Sequence, residues 1–206
     1  MDLNADQSND KLADGRLIEQ YRAGREHAFD VLVNRYQQEL FHFLVRFTGS
    51  RPAAEDVFQE TFLQVHVSID TFQTDKRFKP WLFTIAANKA RDYLRRSNRR
   101  AASRLSAPIQ GAAGEEDRQF LDLIQADLPM PDEQAARRET QERVQKVVAT
   151  LPDHLREILI LAYFHQFAYK EIAQMLEIPL GTVKSRLHSA VGSFSDLWKR
   201  FSKEPH

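Results

Sequence analysis

Cysteine is absent from the 206 residues, which excludes a disulfide framework, a zinc ribbon and a thiol nucleophile. Long apolar runs are absent too. The longest, Ile158 to Phe164, falls well short of the roughly 18 residues that mark a membrane-crossing helix, so no membrane insertion is expected. The seven glycines form no phosphate-binding loop, and the seven histidines are scattered without an HExxH or other paired metal-ligand spacing. With no catalytic constellation, no metal set and no cofactor motif, an enzyme is not expected, nor any cofactor. The first fifteen residues, MDLNADQSNDKLADG, are acidic and polar where a secretory signal would be basic and then apolar; the expected location is the cytoplasm. Finally, no charge of one sign dominates. Lys and Arg total 29 against 29 Asp and Glu, which excludes a uniformly basic DNA coat.

That neutrality is an average over blocks. Residues 1–75 carry 7 basic and 13 acidic side chains, whereas residues 76–104 carry 10 basic residues and a single acid, Asp92. Residues 105–136 reverse the sign, with Arg118 against seven acids, and 144–206 are mixed at 8 to 6. The acidic stretch also holds Pro108, Gly111, Gly114, Pro129 and Pro131, the composition of a linker. Strand-like alternation is missing, and what remains reads as helices. Phe29, Leu32, Val33, Tyr36, Leu40, Phe41, Leu44 and Phe47 follow the spacing of one buried helical face, and further helices are expected near 53–67, 79–100, 134–150, 154–165, 169–176 and 182–199. The expected fold is all-α: an N-terminal extension (1–25), a helical domain (26–100), a flexible acidic linker (101–136) and a second helical domain (137–206).

Three segments carry functional information. On the helix beginning near Pro52, Phe58, Phe62 and Val65 share one side, while Asp56, Gln59, Glu60 and Leu63 share the other. A leucine among two acids and an amide suits a docking surface with an apolar anchor and charged rim, although scattered surface leucines are also common. In KPWLFTIAANKARDYLRRSNRR, Thr84, Asn88, Arg91, Arg95 and Arg99 form a polar stripe opposite Leu82, Ala86, Ala90, Tyr93 and Leu94. Arginines at that spacing can follow a phosphate backbone, and Asn88 can reach base edges. Just upstream, Phe72 and Phe78 lie beside Lys76, Arg77 and Lys79; aromatics beside cations on a loop suit stacking of unpaired bases, with burial in a core as the competing role. Trp81, Phe83 and Tyr93 favour the core. Third, YKEIAQMLEIPLGTVKSRLHSAVGSF has the pattern of a helix-turn-helix. Ile172, Ala173 and Leu176 would face inward on the first helix, and Val183, Leu187, Ala190, Val191 and Phe194 would bury the second. Thr182, Lys184, Ser185, Arg186 and His188 would then be presented to a major groove.

Together, EDVFQETFLQVH, KPWLFTIAANKARDYLRR, and LPDHLREILIL followed by YKEIAQMLEIPLGTVKSRL resemble the sigma-70 family of bacterial RNA polymerase sigma factors, in its compact extracytoplasmic-function (ECF) form. The likeness runs from about Ala28 to Arg100 and from about Val144 to Leu197. It implies an initiation factor that binds core RNA polymerase, recognises −10 and −35 promoter elements and helps melt the DNA, serving a stress or envelope-response regulon. Asp56, Gln59, Glu60 and Leu63 would meet the β′ clamp helices, with the β flap as a second polymerase contact. Phe72, Lys76, Arg77, Phe78, Asn88, Arg91, Arg95 and Arg99 would serve the −10 element, and Thr182, Lys184, Ser185, Arg186 and His188 the −35 element. An anti-sigma factor is a further partner class that the likeness implies. Thr84 and Ile85 stand where housekeeping members carry paired tryptophans, which implies weaker melting and stringent promoter choice. Other departures are Ala87 where Arg is frequent, Ser189 to Ser193 where basic residues commonly follow, and Glu177 at a turn position that often holds Gly. A helix-turn-helix regulator that does not replace a sigma factor remains the alternative. The acidic linker, with Glu115, Glu116 and Asp117, either folds back on the basic helix or stays solvated.

Overall fold

The computed structural model describes residues 3–104, 140 and 143–201, with side chains from residue 13 to 100 and again at 140 and 143–201. Among these residues the secondary structure is helical. The N-terminal half contains α1 (Leu3–Arg22), α2 (His27–Thr48), α3 (Arg51–Ser68), a 3-10 turn (Ile69–Thr71) and α4 (Phe78–Arg104). The C-terminal half contains α5 (143–150), α6 (Asp153–Leu159) running into a π turn (Ile160–Phe164), α7 (Tyr169–Met175) and α8 (Leu180–Phe201). Most of the acidic linker, including Glu115, Glu116 and Asp117, lies outside the described residues.

Local chemistry fixes the corner between α2 and α3. Gly49 takes the left-handed conformation (φ 71°) and its N–H closes onto the Val45 carbonyl, ending α2. Ser50 is extended, accepts from the Ala53 N–H at 3.5 Å and is followed by Pro52 in the first turn of α3. The antiparallel pair so formed packs against α4 around Leu40, Phe43, Leu44, Phe47, Val57, Leu82 and Phe83, all fully buried.

The polar N-terminal segment, for which the sequence suggests no helix, forms α1 and packs on α2. Ile18 is fully buried, and Asp14, also buried, accepts from Tyr36 Oη and Arg35 Nη1, each at 2.5 Å. At its end, Arg22 Nη2 reaches the carbonyls of Ile69 (2.5 Å), Asp70 (3.0 Å) and Phe72 (2.6 Å). It thereby ties the 3-10 turn and the start of the following loop to α1.

In the C-terminal half, α7 and α8 form the helix-turn-helix. Glu177 has φ 52°, and the Ile178 N–H closes onto Ala173 O at 3.0 Å, a left-handed C-cap made without glycine. Such a conformation costs an L-residue about 1–2 kcal/mol, as the sequence position suggested. Val183, Leu187 and Ala190 are buried as expected, but Val191 is 42% exposed. Its 100° step from Ala190 carries it past the edge of the buried stripe. The two halves do not stand apart: one continuous set of buried side chains runs from Ile18 through Phe83 to Phe167 and Ala190.

Candidate docking and nucleic-acid interfaces

The first site is a groove between α3 and α4, about 600 Å³ in volume, lined by Asp56, Gln59, Glu60 and Leu63 with Tyr93, Arg96, Ser97 and Arg100. All four side chains singled out on α3 therefore converge. Leu63 is 66% exposed and Val67, one turn on, is 69% exposed, so α3 offers an apolar pair to solvent. Glu60 lies 3.6 Å from Arg96, a pairing between helices that gives the groove a charged rim. Sequence reasoning missed Val67, Tyr93, Arg96, Ser97 and Arg100 as lining or neighbouring residues. The signal for Val67 was its i+4 relation to Leu63.

A second cavity, about 610 Å³, lies where the loop after α3 meets the start of α4. Phe72, Lys76, Arg77, Trp81 and Thr84 line it from the N-terminal half, and Glu171, Gln174 and Met175 close it from the other. Here the expectation of exposed aromatics is corrected. Phe78 is fully buried and Phe72 nearly so, packed as a cluster with Trp81 at 5.0–5.7 Å and with Tyr36. Phe78 opens α4, and its ring points inward with Leu82, one turn on, so neither phenyl ring is a free base platform. Lys76 is exposed, whereas Arg77 Nη1 donates to Glu171 Oε1 at 2.5 Å.

Along α4, Asn88, Arg95 and Arg99 are exposed and Arg91 is half-buried. Arg91 donates to Asn88 Oδ1, and Arg95 lies 3.3 Å from Asp92. Ala87 is fully buried, so it belongs to the face that packs inward. Arg91 Nε also lies 3.4 Å from Glu157 Oε1, across to α6, without hydrogen-bonding geometry. Glu157 is 4% exposed. Burial raises its pKa from 4.5 to about 7, against the opposing pull of Arg91 and Arg186.

On α8, Lys184, Ser185 and His188 are exposed and Thr182 and Arg186 are half-buried. Thr182, Ser185 and His188 lie on the side away from Val183 and Leu187, while Lys184 and Arg186 flank the buried stripe, each about 60° from one of those two residues. Arg186 also lines a 440 Å³ cavity with Glu157, Arg91 and Arg95.

The sequence itself carries the deciding likeness. The Sigma-70 region 2 profile matches residues 32–100, and the Sigma-70 region 4 profile matches residues 141–192. The chain is 33% identical to RNA polymerase sigma-H factor of Pseudomonas aeruginosa over 86% of its own length and 89% of that protein. This chain belongs to the sigma-70 family of RNA polymerase sigma factors. The ECF sigma factor SigW of Bacillus subtilis is 32% identical, with 83% of this chain and 89% of that protein covered. The ECF sigma-E factor of Escherichia coli is 31% identical, covering 88% and 92%. In fold, the sigma factor resembles RpoE of Bartonella quintana, solved with the anti-sigma factor NepR (TM-score 0.64, 23% identity, 83% of this chain and 96% of that one). It resembles CnrH, solved with the cytosolic domain of CnrY, to the same TM-score of 0.64 at 24% identity, covering 91% and 98%. As a sigma factor of ECF type it is a transcription initiation factor, with core RNA polymerase and promoter DNA as its partners. No described helix is long and apolar enough to cross a membrane.

Proposed function

We propose that this sigma factor binds the β′ clamp helices of core polymerase through the α3–α4 groove, with Leu63 as apolar anchor and Asp56, Gln59 and Glu60 as its polar surround. The observation that supports this is the convergence of those four side chains on one open groove, with a leucine exposed among acids. Residues 26–100 form the unit for core and −10 binding, and 137–206 the unit for −35 binding. Lys76, Arg77, Asn88, Arg91, Arg95 and Arg99 bind the −10 strand, and the pocket beside Phe72 and Trp81 receives an unstacked base. Thr182, Lys184, Ser185, Arg186 and His188 contact the −35 duplex, and α6–α8 meet the β flap. The protein acts in the cytoplasm, carries no chemistry of its own and serves a stress or envelope-response regulon. An anti-sigma protein that covers the Leu63 groove is the partner that would silence it.

Run-off transcription with purified core polymerase on a genomic promoter library tests this function. Discrete transcripts that depend on the added factor are expected, with about tenfold more Leu63→Ala than wild type needed to reach the same yield. An absence of factor-dependent transcripts across the library, together with tight duplex binding, would favour a helix-turn-helix regulator instead.

A further inference from the structure

The loop between α3 and α4 has two sides. Thr71, Phe72, Gln73, Asp75, Lys76 and Arg77 line the 610 Å³ cavity, and Thr74 alone among residues 71–77 does not. Its side chain turns the other way, toward α1. There Gly15, Glu19 and Arg22, at the i, i+4 and i+7 spacing, share one helical face. Glu19 Oε1 accepts from Thr74 Oγ1 at 3.4 Å. Gly15 is buried, and a Cβ built on it would lie 3.2 Å from Thr74 O, closer than side chains ordinarily pack. The Arg22 guanidinium holds the carbonyls of Ile69, Asp70 and Phe72 and lies 3.9 Å from the Asp70 carboxylate.

The loop's own backbone supplies little to fix this shape. Phe72 N–H closes onto Ile69 O at 3.1 Å and Lys76 N–H onto Gln73 O at 2.9 Å. By contrast, α1 is fastened to the rest of the N-terminal half at several points. Ile18 is fully buried, Asp14 binds Arg35 and Tyr36 of α2, and Tyr21 Oη lies 2.8 Å from His66 Nδ1 of α3. Charged donors make strong hydrogen bonds to carbonyls, so Arg22 ties the loop to a rigid support. Phe72, one of the residues it holds, packs its ring at 5.0 Å from that of Trp81 in the cavity wall. A shift of the Phe72 backbone therefore moves the wall.

We infer that α1 is a specificity element for the −10 base: Gly15, Glu19 and Arg22 set the position of the loop whose inner side meets the DNA, and with it the base that is accepted. They are positioning residues, acting through the loop. The inference rests on the pocket beside Phe72 and Trp81 being the base site. A recognition site keeps its selectivity only while its groups are held within about 0.5 Å of the productive geometry, and hydrogen bonds weaken steeply as they bend. Displacing the loop should thus alter the choice of base more than folding or docking.

The test uses the full chain with core polymerase, in run-off transcription from a factor-dependent promoter whose −35 element is kept and whose −10 element is randomised, the transcripts being sequenced. Gly15→Ala pushes on Thr74 with its new Cβ, and alanine is the better helix former, so the melting midpoint should not fall. Arg22→Lys keeps the charge but ends one bond short of the three carbonyls. In both variants the base preference at one −10 position should weaken or change about five- to tenfold, the size of one lost base contact. Preferences at the other −10 positions and affinity for core polymerase should match wild type. An unchanged base profile in both variants, or an even loss across all sequences, overturns the inference, since a purely structural α1 would lower yield without changing choice. Should Gly15→Ala melt lower than wild type, Arg22→Lys decides alone. The double variant Gln73→Ala, Lys76→Ala, on the inner side of the loop, separates the two levels. A changed profile there beside a wild-type profile in G15A and R22K overturns only the role of α1; no change in any of the three overturns the base pocket and the inference with it.

Discussion

Raising the pH through neutrality should loosen the packing of the C-terminal half on the N-terminal half, the closed form of the chain seen here, and Glu157→Gln should remove that response. The carboxyl of Glu157 faces Arg91 from α4, Arg186 from α8 and Asp153 from its own helix, with Arg95 and His154 in the same cavity. Its pKa rises from 4.5 to about 7 on burial. A raised acid favours the closed form fully below 4.5, and the benefit is lost as pH rises through about 7. With an ordinary value in the opened chain, closure weakens about 70-fold, or about 2.5 kcal/mol, between roughly pH 5 and pH 8. His42 and His165 work the other way. Both are depressed from 6.5 by burial, beside Arg46, Glu39 and Lys79, so protonating them opposes closure as the pH falls. Comparing wild type with E157Q cancels the histidines, since both chains carry them. The distance between spin labels on Gln20→Cys and Lys199→Cys, both exposed, followed from about pH 5 to about pH 8, should lengthen in the otherwise wild-type chain above neutrality. E157Q should remain closed there, because a neutral amide avoids the cost of burying a charge. Superimposable curves for the two chains, or a wild type that closes further as the pH rises, would refute the role assigned to Glu157.

Leu63→Ala should weaken binding to core polymerase about tenfold, the scale expected when an apolar anchor is truncated, with no change in thermal melting because Leu63 is exposed; a competition assay against fluorescent wild type reads it. Glu177→Gly should stabilise the C-terminal half by about 0.5–1 kcal/mol, the left-handed strain less the entropy glycine adds to the unfolded chain, seen as a higher melting midpoint. Lys184→Ala should weaken −35 duplex binding nearly uniformly across sequences and reduce the slope of log K against log salt by about 1. Ile18→Ala should cost about 2–5 kcal/mol if α1 belongs to the folded unit, since its side chain is fully buried; unfolding by urea measures it.

The helices with a strong apolar period were legible from sequence, and their observed limits lie close to the expected ones: α2 buries Leu32, Tyr36, Leu40, Leu44 and Phe47 as expected, together with Phe43, which the pattern had not included, whereas Phe29, Val33 and Phe41 are half-buried. The α3–α4 groove proposed for docking was legible as a surface for a related reason, since Leu63 broke an otherwise polar face. α1 was not: its early turns are polar, and much of its anchoring comes from Asp14, whose partners Arg35 and Tyr36 lie 21 and 22 residues away. Phe72 and Phe78 show the limit of composition. Phe78 sits between Arg77 and Lys79, and Phe72 lies a few residues before Lys76, yet the rings fill the core beside Tyr36 and Trp81, because adjacency in sequence does not say which way a side chain points. The seam between the halves joins Glu39, Lys79 and His165 across more than a hundred residues. Each of the three, taken alone, reads as an ordinary surface residue.

The triple grip of Arg22 on the backbone after α3 separates two ways of drawing a boundary. The region 2 profile begins at residue 32, yet the carbonyls of Ile69, Asp70 and Phe72 are held by a guanidinium ten positions earlier. A fragment cut to the family boundary would leave those carbonyls to water and free the loop that shapes the pocket proposed for the −10 strand. It would also strip α2 of buried Ile18 and of the Asp14 contacts to Arg35 and Tyr36. The segment ahead of the recognised domain thus acts as a clasp on the loop proposed to read DNA. Promoter preference in this sigma factor would then be open to change by substitutions far from any base, at residues no alignment of the core domain includes.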